Sequence, residues 1–376
     1  MENNYALVLE EIASKGCLRH IPAIEYREGV QAVLDGQPCL NFSSNDYLAL
    51  STNTSLRDAF LQQHGHDAQC LFSSASARLL SGSSQVYGAL EAEVAALFGK
   101  EACLLFNTGY QCNLGVVSAL VGKGDVIFSD KLNHASVVAG MQLSGAAFYR
   151  YAHTDYAHLE RFLHEHRGKF RRALIISESV FSMDGDVADI DRLIALKKRY
   201  DCLLMIDEAH AFGVFGEHLA GCSEGKDVDV ITATFGKSLA SMGAFCVASR
   251  LIIDVLVNKA ASFIFSTALP PITVLWTYFL LHEHRAVLYA QREKLLGLCA
   301  ALGCPTQIIP VLLGESDAAA RIARRLCEAH YFVLPIRPPT VPPHTARLRL
   351  SLTADMSPAM VRGLLAAVQQ LQQEGC

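Results

Sequence analysis

ALIISESVFSMDGDVADIDRLIALKKRYDCLLMIDEA, residues 173–209, decides the fold. It reads as a strand (ALIISESVF), a loop, a helical period (ADIDRLIALKKRY) and a second strand (CLLMIDEA). The same alternation continues on both sides. Upstream lie the helix YGALEAEVAALFG, the strand ACLLFN, a helix opening at Thr108-Gly109, and the strands DVIFSD and AAFYRYA. Downstream lie VDVITATF and AFCVAS. Strands alternating with helices predict an α/β fold with a mostly parallel central sheet and helices on both faces. The first forty-odd residues add a helix-like start (5–15) and a two-stranded ribbon turning at Asp35-Gly36. After Pro270-Pro271 the pattern changes to long helices and then an extended segment ending in a strand, which suggests a small α+β domain. The expected division is an N-terminal segment (1–45), a large domain (46–270) and a C-terminal domain (271–376).

The chain has 376 residues, 51% of them hydrophobic and 18% charged, enough for a large core and a surface partly covered by a partner subunit. A net charge of -5 gives no electrostatic reason to expect nucleic acid or an anionic membrane. The twelve cysteines are never spaced as CxxC, and no signal peptide is visible, so they read as buried reduced thiols of a cytoplasmic protein. The strongly apolar run from Leu269 is too short and too broken by proline to span a bilayer. Among fourteen histidines there is no HExxH, and HGH at 64–66 and HEH at 164–166 and 282–284 read as solvated helix faces, so no metal is expected.

In open parallel sheets ligands bind beyond the carboxyl ends of the strands. Four such ends carry polar groups: Asp207 and His210; Glu178, Ser182 and Asp184; Thr234 and Lys237; Asn133, His134 and Ser136. Singly each has a plain explanation, since a strand-end Asp often caps a helix and a loop His is usually solvated. Lys237 is the odd member. It follows VDVITATF and sits among Gly236, Ser238, Ala240, Ser241 and Gly243, a setting for an amine held in a pocket. A lysine snorkelling from a strand end is the alternative. Lysine, aspartate, histidines and hydroxyls without a dinucleotide glycine motif suit pyridoxal phosphate. Its aldehyde needs a lysine amine, its pyridine nitrogen a facing carboxylate, and its phosphate a helix start with hydroxyls.

NFSSNDYLAL, FNTGYQCN, NHASVVAG, ESVFSMDGD, IDEAHAFGVFGE, TFGKSLASMGA, FSTALPP and RPPTVPPHTARLRLSLT, in this order, resemble the α-oxoamine synthases over nearly the whole chain. These are pyridoxal-phosphate enzymes of fold type I that condense an amino acid with an acyl thioester. The resemblance implies that Lys237 forms the Schiff base and then acts as the base at Cα. It implies that Asp207 pairs with the pyridinium, that His210 and Ser182 neighbour the phenolic oxygen, and that His134 stacks on the ring. Gly109, Tyr110 and Thr234 would hold the phosphate, with Ser266 and Thr267 arriving from the second subunit of a homodimer. Asn45 and Arg349 would face the amino-acid carboxylate, and Arg19 the far carboxylate of the acyl chain. The C-terminal segment is most similar to the branch that joins L-alanine to a pimeloyl thioester, carried on CoA or on acyl carrier protein. Glycine C-acetyltransferase and 5-aminolevulinate synthase share the core and remain alternatives. One stretch departs from the family. Where the family pattern is glycine-rich, this chain has SSASARLLSG from Ser73, with Ser73, Ala75 and Ser76 in place of glycines.

Overall fold

The computed structural model describes residues 2–375 and divides into two compact units. The larger comprises residues 54–182 and 186–292. Its centre is a seven-stranded sheet in the order Ala102–Phe106, Ala244–Ala248, Val230–Thr234, Leu203–Asp207, Ala173–Glu178, Val126–Asp130, Ala147–Tyr151. Only Ala244–Ala248 runs antiparallel to its neighbours. The expected mostly parallel sheet is therefore present, with all seven strands where the apolar runs lie.

Side-chain alternation explains how the sheet is covered. Ala102, Leu104 and Phe106, with Leu174, Ile176, Ala244, Cys246 and Ala248, join one buried cluster with Cys112, Val116, Val137, Met141 and Leu256 of three helices. On the intervening strand positions, Phe245 instead packs against Phe98, Phe212 and Phe235, with ring centroids 5.0–5.4 Å apart. Apolar burial on both faces is the signature of a parallel sheet sandwiched by helices. The helix Ile190–Tyr200 shows how local signals set boundaries. Asp189 caps it by accepting from the Arg192 amide at 2.9 Å, and Lys197, Lys198 and Arg199 fill its last turn, where the helix dipole favours cations.

The glycine-poor loop has a definite conformation. Ala75 sits at φ 50°, in the left-handed region where the family pattern has glycine. Ser74 Oγ donates to the Leu269 carbonyl at 2.7 Å, and the Ala268 amide donates to the Ser76 carbonyl at 2.9 Å. Gly82 is retained for a steric reason: a Cβ there would lie 2.2 Å from the Ser76 carbonyl oxygen.

All three histidine motifs correct the expectation of solvated faces; in the third, His284 packs against Phe279 with ring centroids 4.1 Å apart. His64 packs against Phe60 and Phe279, and His166 stacks on Tyr149 at 4.1 Å. Their apolar ring faces are used for packing, which spacing in a sequence does not reveal. His153 is bound differently, with Nδ1 3.0 Å from Asp130 and Nε2 2.8 Å from Asp186. Burial alone would depress its pKa, but hydrogen bonds and charge from the two carboxylates raise it to about 10. A raised histidine stabilises the fold fully below its ordinary pKa of 6.5, and the stabilisation fades as pH rises toward 10. After allowance for solvent screening, His153→Gln should cost about 1–3 kcal/mol at pH 6 and little at pH 10, as read by urea unfolding at the two pH values.

The smaller unit comprises residues 1–53, 183–185 and 293–376. Its ribbon, Gln31–Leu34 with Gln37–Asn41, turns at Asp35 (φ 49°) and Gly36 (φ 72°), the paired positive φ values of a tight hairpin turn. Ile24–Glu28 and Tyr331–Phe332 complete a four-stranded sheet. A second sheet places Ala346–Ser351 between Ile308–Gly314 and Pro335–Ile336. Ala346–Ser351 is buried along its whole length, so Arg347 and Arg349 are not edge-strand residues in water.

Candidate active site

The polar strand ends of the larger unit meet. Gly109, Tyr110, His134, Asp207, His210, Thr234 and Lys237 line one cavity of about 170 Å³, together with Asn113 and Glu178. Lys237 leaves the sheet on a loop closed over itself. The Phe235 amide donates to the Gly243 carbonyl at 2.9 Å, the Ala240 amide to the Lys237 carbonyl at 3.0 Å, and Ser238 Oγ to the Phe212 carbonyl at 2.6 Å. Gly243, at φ 111°, needs its missing side chain, since a Cβ would approach Leu269 to 2.8 Å. The small residues around Lys237 thus let the loop fold tightly and present the amine. Its Nζ lies 2.7 Å from His210 Nε2.

Asp207 ends its strand with both oxygens engaged by N–H groups. Oδ2 accepts from Asn113 Nδ2 at 2.7 Å and Oδ1 from the Ala209 amide at 2.9 Å. Among the described residues no ion pair includes this buried carboxylate. Asn113, in the helix Gly109–Leu120, also donates to Ser136 Oγ at 3.0 Å and accepts from Thr232 Oγ1 at 2.8 Å. Each hydrogen-bonding group of its amide therefore has a partner.

His134 is the N-cap of the helix Ala135–Ser144. Its amide donates to Glu178 Oε1 at 2.6 Å, and the Ser182 amide donates to Glu178 Oε2 at 3.2 Å. His134 lines the cavity, and its ring stands edge-on to Tyr110, centroids 6.3 Å apart. Surrounding protein still desolvates it and holds its pKa below the ordinary value; Asp207 opposes that shift and the Lys237 ammonium adds to it. Glu178 is fully buried, and burial, reinforced by the charge of Asp207, raises its pKa. Thr234 Oγ1 donates to the Gly243 carbonyl and accepts from the Gly236 amide, which holds it beside Gly109.

These residues fit pyridoxal phosphate. The amine, a buried carboxylate in no ion pair among the described residues, an imidazole at the opening and a helix N-terminus at Gly109–Tyr110 supply each contact that the group requires. Among the described residues no cluster of side chains could hold a metal ion.

The remaining expected residues lie elsewhere. Ser266 and Thr267 line a separate recess with Arg78 and Asn107, whose Nδ2 donates to the Thr267 carbonyl at 2.7 Å. In the smaller unit Asn45 and Arg349 are brought together: Arg349 Nη1 donates to Asn45 Oδ1 at 2.8 Å and to Ser351 Oγ at 2.6 Å, and Nη2 to the Tyr47 hydroxyl at 3.1 Å. Arg347 is held by Asp184 and by the Met183 carbonyl. Arg19 donates to the Pro338 carbonyl at 3.2 Å. Asn113 and Thr232 escaped the reading of strand ends because both lie within regular elements. The signal for Asn113 was an amide between Cys112 and Val116 on a face otherwise apolar.

The chain belongs to the aminotransferase class I and II family, whose profile matches residues 37–368. Within that class it is 44% identical to the 8-amino-7-oxononanoate synthase of Haemophilus ducreyi, over 97% of this chain and 99% of that one. Its fold superposes on an 8-amino-7-oxononanoate synthase from Francisella tularensis with a TM-score of 0.71, at 25% identity, over 90% of this chain and 99% of the other. A serine palmitoyltransferase solved with pyridoxal phosphate superposes with a TM-score of 0.84 at 25% identity, over 99% and 97% of the two chains.

Proposed function

We propose that the chain is a pyridoxal-phosphate-dependent acyltransferase that condenses L-alanine with a pimeloyl thioester, on CoA or acyl carrier protein, releasing CO2 and forming 8-amino-7-oxononanoate. The observation that carries this is the near full-length 44% identity to an enzyme of that name, with Lys237, His210, Asp207 and His134 gathered in one cavity. Bound pyridoxal phosphate supplies an electron sink for the charge left at the amino-acid Cα. The chain's residues do the rest. Lys237 Nζ would anchor the cofactor through its amine and would be placed to take the Cα proton. Asp207 would hold a proton on the ring nitrogen, and its burial would strengthen that interaction. His210 would keep the amine in place, His134 would cover the ring, and the Gly109–Tyr110 helix start would bind phosphate.

Arg349 is assigned to the amino-acid carboxylate with Asn45. A guanidinium fork makes two parallel hydrogen bonds that an ammonium cannot reproduce. Arg349→Lys should raise KM for alanine about 10-fold or more, with a smaller change in kcat. The assay is CO2 release with each amino acid and thioester pair. Faster turnover of glycine than of alanine would move the chain to another branch of the family.

A homodimer belongs to the same proposal. Segment 71–80 runs beside 265–272, joined by the Ala77–Thr267 bridge and by the Ile272 amide donating to the Leu71 carbonyl. Together they expose Phe72, Leu80 and Phe265, each more than 80% accessible, an apolar patch suited to a subunit interface. If Thr267 serves the partner's site, mixing inactive Lys237→Ala and Thr267→Val chains should restore part of the activity. Full activity from a monomer in sedimentation would rule this out. Among the described residues no helix is long and apolar enough to cross a membrane.

A further inference from the structure

We propose that Ser136 is a positioning residue that fixes the tautomer of His134, placing its proton on Nε2, toward the cavity. The inference follows from a chain of donors and acceptors whose direction is set at one end. An ionised carboxylate only accepts hydrogen bonds, so the group that Asn113 turns toward Asp207, 2.7 Å away, is its NH2. Thr232 Oγ1, 2.8 Å from Asn113 Oδ1, supports the same orientation. The second N–H of that NH2 then donates to Ser136 Oγ at 3.0 Å. The Ser136 hydroxyl, which accepts from Asn113, has its own hydrogen available for His134 Nδ1, 2.7 Å away. The Ser136 backbone amide, which can only donate, also faces Nδ1 at 3.2 Å. Two donors on Nδ1 require it to be an acceptor, and a neutral imidazole with that arrangement carries its proton on Nε2. Asn113 and Ser136 are both buried, so water does not compete for these bonds.

The consequence rests on the proposed function. An Nε2–H directed into the cavity is a donor for the acyl carbonyl oxygen as negative charge gathers on it. The alternative tautomer would present a lone pair there and repel that charge. Asp207 would therefore act in two ways. It would face the ring nitrogen of the bound cofactor, and through Asn113 and Ser136 it orients the hydrogen-bonding edge of His134.

The test is 15N NMR of histidine-labelled full-length protein without substrate, with His134 assigned by its loss in His134→Gln. In the wild type, Nε2 should show the protonated shift and Nδ1 the unprotonated one. Ser136→Ala should lower the Nε2–H to Nδ1–H ratio about 3- to 10-fold, the worth of one hydrogen bond. Wild-type His134 protonated on Nδ1, or a Ser136→Ala spectrum unchanged from the wild type, would overturn the inference. The wild-type spectrum decides the point even if the variant fails to fold. Because no substrate is present, a wrong assignment of the condensation would leave these spectra untouched and would appear only in the CO2 assay.

Discussion

Lys237→Ala should lower kcat/KM for the condensation by about 10³-fold or more, since the proposed function makes this one side chain both covalent anchor and base. The size follows from how little else could replace it. Among the described residues no other lysine lines the cavity, and His210 lies 2.7 Å from the amine. Folding should survive, because Lys237 is half-buried in a loop whose closure depends on backbone bonds and on Ser238, not on the amine. Thermal unfolding of the variant should therefore stay close to the wild type while the visible absorbance of the lysine-bound cofactor disappears. Borohydride reduction of the wild-type holoenzyme, followed by peptide mapping, should place the pyridoxyl group on Lys237. Label on any other lysine would sink the assignment.

The sheet and the group at its edge were legible in the sequence for one physical reason. A strand buried on both faces is a near-continuous apolar run, so a polar residue at its end marks where the sheet stops. Asp207, Glu178 and Thr234 each end such a run, and all three line the cavity. Side chains that act from within elements were not legible in the same way. Asn113 looks like an ordinary helix residue until Asp207, ninety-four positions away, is brought to 2.7 Å. Arg347 and Arg349 alternate on one strand and read as equivalents. The structure gives Arg347 to Asp184, whereas Arg349 joins Asn45, Tyr47 and Ser351. Ala75 shows the converse limit. The substitution is plain in the sequence, but that the backbone keeps a left-handed φ there without glycine is a property of the fold.

Asp207→Asn should reduce kcat about 10²- to 10⁴-fold, the second largest effect expected. The substitution keeps volume and removes the negative charge, so a ring nitrogen facing an amide no longer retains its proton and the electron sink weakens. Local bonding makes the change harsher than a neutral isostere would suggest. Both carboxylate oxygens accept from N–H groups, Asn113 Nδ2 on one side and the Ala209 amide on the other. An asparagine offers a single oxygen, so its own NH2 must face one of those donors. Leaving that pair unsatisfied should cost about 1–3 kcal/mol of stability. If Asn113 turns its amide to relieve the clash, its oxygen faces Ser136 in place of the NH2, and the chain to His134 reverses. Asp207→Asn should therefore disturb the His134 tautomer as well as the cofactor spectrum, although the two residues carry separate functions. Asp207→Glu retains the charge and should recover part of the rate. A variant of Asp207→Asn with more than a tenth of wild-type kcat would show that this carboxylate is not the partner of the ring nitrogen.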